Sequence, residues 1–165
     1  RSRRQRQMCI RDRNSPFDRY LKGDENAISE NAKKGYKLFL KLGCQTCHTG
    51  PAMGGQSFEY ADLKGDFFAG RAKTNDDNGL MNFSKKESDR HRFRVPTLRN
   101  VELTWPYMHD ASAQTLEEAI TKMYHYQLGY DKLDKKEVRL LVAFLKTLTG
   151  EYNGKPVQGE VCPAS

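Results

Sequence analysis

Long apolar runs are missing from this 165-residue chain. No window approaches ~18 consecutive apolar residues, the length a bilayer-spanning helix needs, so no membrane span is expected. Apolar residues are scarce throughout, at 37% against 30% charged, and a large buried cofactor would help so lean a chain close a core. Also missing is a basic face interleaved with aromatics. The net charge of +7 is concentrated in residues 1–13, where Arg1, Arg3, Arg4, Arg6, Arg11 and Arg13 against Asp12 give +5 and leave +2 for the rest. A nucleic-acid partner is therefore not expected. No internal repeat is present, and of the four cysteines only Cys44 and Cys47 stand close together.

What is present divides into four stretches. Residues 1–13, RSRRQRQMCIRDR, show neither helical nor strand periodicity, nor the apolar centre of a signal peptide. They resemble the in-frame translation of a sequencing-library adapter and are expected to be non-native. A disordered basic arm for anionic partners is the other reading. Residues 14–24, NSPFDRYLKGD, are polar around Pro16 and Gly23 and read as an inter-domain linker or docking segment. Residues 25–152 are the expected folded domain, and 153–165 a polar tail.

Within the domain the spacing predicts a helix from about Ser29 to Leu42, with Ser29 as N-cap and Gly43 as its stop. Tyr36, Phe39, Leu40 and Leu42 cluster toward its end. Gly35 costs roughly 1 kcal/mol there relative to alanine, which points to a close helix crossing. Residues 50–100 are rich in Gly, Asp, Asn and Ser, and loops of that length usually wrap something or carry function. RVPTLRNVELTWPYMHDAS, broken by Pro96 and Pro106, continues as loop with short turns. Thr115 and Glu118 form a capping box for a helix to about Gln127, before Gly129. Asp134 opens a last helix ending at Gly150, in which Val138, Leu141, Val142, Leu145 and Leu148 line one stripe. The fold class is all-α.

The chemistry sits in LGCQTCHTG, Leu42 to Gly50. Cys44 and Cys47 are three apart, on one side of a helical turn, with His48 beside them. Two thiols so placed can take the two vinyl groups of a tetrapyrrole as thioethers while His48 ligates the iron, the c-type haem attachment pattern. A thiol-redox motif would need a βαβ setting, and a structural zinc site two further ligands at finger spacing. Neither is visible, since Cys9 and Cys162 lie in the two polar end segments. The iron's sixth position stays open on spacing. Met53 is five residues from His48, too near to cross the ring easily, while Met81, Met108, Met123, His91, His109 and His125 are not separable.

NSPFDRYLKGD, LGCQTCHTGPAMGG, DRHRFRVPTLRNVELTWPYMHD, MYHYQLG and VAFLKTLTG together resemble, in order and spacing, the C-terminal haem domain of bacterial di-haem cytochrome c peroxidases. The resemblance runs from about Asn14 to Gly150. It implies a cytochrome c-like haem domain with long haem-wrapping loops, and one covalent haem c on Cys44 and Cys47, with His48 as proximal and Met123 as distal ligand. It also implies a calcium ion at the domain junction, for which the backbone carbonyls of Thr104 and Pro106 are candidate ligands. His109 would contact a haem propionate or the domain interface. The parent enzyme would be a periplasmic oxidoreductase reducing hydrogen peroxide. Its donor would be a small cytochrome c or cupredoxin, and the parent would be a homodimer. The N-terminal haem domain that reduces peroxide in the family has no counterpart here, because no second C-x-x-C-H occurs. The fragment alone is thus expected to move electrons without peroxidase activity. A free-standing mono-haem electron carrier is the alternative.

Overall fold

A computed structural model describes residues 14–152 and 155–157. The expected adapter-like segment 1–13, most of the tail 153–165, and with them Cys9 and Cys162, lie outside the described residues.

Two helices carry the architecture. Helix α2, Glu30–Lys41, starts where the Ser29 hydroxyl accepts from the Ala32 amide, and it has Glu30 in its first turn and Lys41 in its last. Those charges suit the helix dipole. Helix α5, Lys135–Lys146, starts where the Asp134 carboxylate accepts from the Lys136 amide. The two cross at Gly35. A Cβ there would overlap the Leu140 carbonyl oxygen, lying 2.7 Å from its carbon and 3.0 Å from Phe144 Cβ. Glycine is what lets the backbones approach. Phe144, fully buried at the crossing, meets the rings of Phe17 at 5.1 Å, Tyr36 at 5.2 Å and Phe39 at 5.2 Å. The predicted stripe of α5 is buried in full, through Leu148. On α2 the buried set is Ala32, Gly35, Leu38 and Phe39, whereas Leu40 falls off the stripe and is exposed.

Segment 14–24, read from the sequence as linker or docking segment, is a folded part of this core. Pro16–Leu21 is helix α1, closed by a reciprocal capping box between Ser15 and Asp18. It drives Phe17, only 3% exposed, against Phe144. The Phe17 amide also donates to the Thr147 carbonyl at 3.1 Å.

Helix α4, Leu116–Leu128, packs on α5 and ends at Gly129, whose φ of 76° takes the left-handed cap. Its capping box is offset by one residue. The Thr115 hydroxyl accepts from the Glu118 amide, but the Glu118 carboxylate accepts from the Gln114 amide at 2.7 Å. Helix α5 stops four residues before the expected Gly150. After Lys146 the Leu148 amide donates to Leu145 three residues back, and the Thr147 hydroxyl turns onto the Phe144 carbonyl. The tightened turn frees Gly150 to donate to the Asn100 side chain at 2.9 Å.

Helices dominate, as the all-α class expects, and two short ribbons are added to them. The long connection 50–100 pairs with itself: β1, Phe58–Tyr60, runs antiparallel to β2, Arg92–Arg94, with Glu59 opposite Phe93. It also holds the one-turn helix α3, Met81–Ser84. A second ribbon joins β3, Glu151–Tyr152, to β4, Lys155–Pro156. The strands are three residues or fewer, too short for a periodic signal to stand out in sequence.

Candidate functional site

The end of α2 builds the site. Gly43, with φ of 78°, breaks the helix in the left-handed region, and its carbonyl accepts from the Thr46 amide. Cys44–Thr46 then form a single 3-10 turn, and the His48 amide donates to the Cys44 carbonyl at 3.0 Å. In such a turn side chains three apart eclipse, so Cys44 and Cys47 share one side. Both are unbridged and half-buried. Burial pushes the Cys44 thiol up to about 11 and raises Cys47 as well. Redox-active C-x-x-C pairs need the opposite, a depressed thiol in electropositive surroundings. Among the described residues no group of three or more His, Cys, Asp or Glu gathers as a metal site, which leaves the pair without the partners a zinc site requires.

His48 carries the deciding geometry. Its Nδ1 lies 3.2 Å from the Pro96 carbonyl oxygen, which can only accept. Nδ1 therefore bears the proton and Nε2 is the imine nitrogen, while the Met53 backbone also hydrogen-bonds the ring. Burial holds the imidazole below its ordinary pKa, so it is neutral near pH 7. A neutral imidazole whose second nitrogen is pinned by a backbone carbonyl is the arrangement of a metal-ligating histidine. The Pro96 carbonyl reaches it because Gly54, with φ of 130°, has no side chain. A Cβ there would overlap that oxygen and sit 2.9 Å from its carbon.

The other histidines are held differently. His91 Nδ1 lies 3.0 Å from the Asp62 carboxylate and its ring meets Phe68 at 4.0 Å, tilted by 35°. His109 Nε2 lies 2.7 Å from Asp77, and its ring stacks on Phe93 at 4.2 Å. Asp77 is buried and accepts both terminal nitrogens of Arg71, at 3.0 and 2.6 Å. The Arg71 guanidinium holds its carboxyl far below the usual carboxylate range. His125 Nδ1 lies 3.3 Å from the Tyr130 carbonyl oxygen on an exposed stretch. Met53, Met81, Met108 and Met123 are all half-buried, Met123 on α4 and Met53 packed against the core. Thr104 donates its hydroxyl to the Val101 carbonyl at 3.0 Å, and Pro106 follows the exposed Trp105 through a cis peptide.

Sequence reasoning missed the strap 95–99. Val95 and Leu98 pair with Gly55 and Met53, and the Thr97 hydroxyl donates to Ala52. The signals were the Gly54-Gly55 doublet and a proline whose carbonyl is its remaining backbone bonding group.

A family model described as cytochrome c matches residues 32–149. The chain belongs to the cytochrome c family. Covalent haem c follows from that membership, and the site fits it: two uncharged, unbridged thiols on one side of a turn, followed by a neutral imidazole whose Nδ1 is held by the Pro96 carbonyl. The chain is 47% identical over 137 residues to the cytochrome c551 peroxidase of Nitrosomonas europaea, covering 83% of this chain and 40% of that protein. It is 49% identical over 138 residues to the cytochrome c peroxidase of Escherichia coli strain K12, covering 84% of this chain and 29% of that protein. A solved structure, a MauG-like protein associated with microbial copper homeostasis, superposes with a TM-score of 0.66 at 31% identity, over 84% of this chain and 52% of its own. The chain thus spans less than half the length of these peroxidase relatives.

Proposed function

We propose that this cytochrome c domain is the electron-transfer half of a di-haem cytochrome c peroxidase. The observation that carries the reading is the His48 tautomer, fixed by Pro96, beside the Cys44–Cys47 pair. The peroxidase names of relatives at 47% and 49% identity supply the reaction. In the parent enzyme hydrogen peroxide, two electrons and two protons would give two molecules of water at a partner haem domain that these residues do not include. When bound, haem c supplies one-electron chemistry.

The chain's own residues do the rest. Cys44 and Cys47 anchor the ring edge, and His48 offers Nε2 as proximal ligand. Met123 is proposed as the distal ligand, which would supply a thioether that raises the reduction potential and would leave peroxide no vacant site. The connection 50–100 would enclose the haem. Among the described residues no helix is long and apolar enough to cross a membrane, and attachment of haem to C-x-x-C-H outside the bacterial cytoplasm points to the periplasm. A small cytochrome c or cupredoxin is the proposed donor, and the parent a homodimer. The carbonyls of Thr104 and Pro106 are proposed for a calcium ion whose remaining ligands come from the partner domain. His109, already committed to Asp77, would act at that junction.

The test is to mature the chain in a host with haem-attachment machinery. A covalent c-type spectrum is expected, together with the weak red charge-transfer band of methionine-ligated ferric haem and no peroxide turnover. That band should vanish in Met123→Ala. A five-coordinate ferric centre that consumes peroxide unaided would refute the assignment.

A further inference from the structure

The strap that orients His48 is itself anchored from a distance. Arg99 donates from Nε to the Pro51 carbonyl at 3.0 Å, three residues beyond His48. Its other edge grips Asp18 on α1, with Nη2 to Oδ1 at 2.6 Å and Nη1 to Oδ2 at 2.8 Å, and Nη1 reaches the Ser15 hydroxyl at 2.9 Å. The two side chains are only 13% and 18% exposed. A planar guanidinium can serve a carboxylate fork on one edge and a carbonyl on the other, which an ammonium cannot do.

What Arg99 holds is the loop 51–55 against the strap 95–99. The Leu98 amide donates to Met53 at 3.1 Å, the Gly55 amide to Val95 at 2.8 Å, and the Thr97 hydroxyl to Ala52. The Pro96 carbonyl, bonded to His48, lies between these ties. Shifting Pro51 or Arg99 therefore shifts the acceptor that fixes the imidazole.

We propose that Arg99, seated on α1 by Asp18, is a positioning residue for His48 and thereby sets the reduction potential of the haem that His48 ligates. The inference rests on the site reading above. A firm Nδ1–H···O bond makes Nε2 more basic and favours ferric iron, so loosening it favours reduction.

Charge-conserving variants separate this from simple electrostatics. In the 165-residue chain carrying covalent haem, Arg99→Lys and Asp18→Glu keep every charge and break the fork geometry. Each is expected to raise the equilibrium constant for reduction by about tenfold, equal to about 59 mV for one electron, and to rearrange the paramagnetically shifted haem-methyl proton resonances. Ile28→Ala, which loosens the core at a buried residue outside both α1 and the strap, should lower Tm and leave both readouts in place. Wild-type potentials and methyl shifts in both clamp variants would overturn the proposal, as would an equal shift in Ile28→Ala. A wild-type chain with no covalent haem spectrum would remove the site reading itself, and the proposal with it.

Discussion

Replacing Gly54 by alanine tests the geometry of the proximal side. Two penalties combine. A Cβ at φ of 130° strains the backbone, at about 1–3 kcal/mol. It also overlaps the Pro96 carbonyl oxygen, so that carbonyl must retreat by roughly 1 Å to regain van der Waals separation. The bond from His48 Nδ1 to Pro96, now 3.2 Å, is then lost. Its net worth is about 0.5–1.5 kcal/mol. The total is about 1.5–4.5 kcal/mol, which for a chain of this size lowers Tm by roughly 3–18 °C. Gly55→Ala is the matched control. Its φ is 83°, but the nearest atom to an added Cβ is an Arg94 nitrogen at 3.9 Å, so only strain applies. That variant should lose about 1 kcal/mol. Thermal unfolding and redox titration of both haem-loaded variants check the reasoning. Gly54→Ala should melt lower and be easier to reduce than Gly55→Ala. Equal melting temperatures and equal potentials would refute the idea that Gly54 exists to let Pro96 reach His48.

Gly35→Ala sets helix propensity against packing. Propensity alone predicts a gain of about 1 kcal/mol. Overlap with the Leu140 backbone predicts a loss of about 1–3 kcal/mol, since no rotamer relieves it. We expect a net fall in Tm, with Lys34→Ala at the neighbouring exposed position showing none, and a more stable Gly35→Ala would defeat the crossing argument. The two anchoring aspartates make stability acid-sensitive. Asp18 and Asp77 both have carboxyls held below the ordinary value of 3.8, so their contribution is present above that pH and is lost as pH falls through the lowered values. Asp77→Asn should cost about 2 kcal/mol at neutral pH by removing the closer of the two carboxylates on Arg71, the other being Asp110 at 3.5 Å, and should flatten the acid limb of a stability–pH curve. An unchanged limb would count against the pair.

Much of this protein was legible because its signals are local. Ser29, Thr115 and Asp134 cap helices through partners two or three residues away, and Gly43 and Gly129 stop them. The stripe on α5 and the close crossing at Gly35 follow from spacing and from the cost of a mid-helix glycine. Cys44, Cys47 and His48 are a motif within five residues. The helix in segment 14–24 was not legible because a short polar stretch with Pro and Gly carries no periodic signal. Its one deeply buried apolar side chain, Phe17, is justified by rings on α2 and α5. The ribbon of β1 and β2 was silent because its pairing depends on a partner more than thirty residues away.

By itself, the chain's order of residues determined where the helices begin and which three side chains form the C-x-x-C-H motif. Folding alone decided the chemical state of that meeting point. The acceptor that fixes the His48 tautomer lies 48 residues downstream, and the Arg99–Asp18 clamp behind it spans 81. A hydrogen bond acts over three ångströms, so it is specified by how backbones converge in space, and convergence over such separations leaves no periodic mark on the sequence.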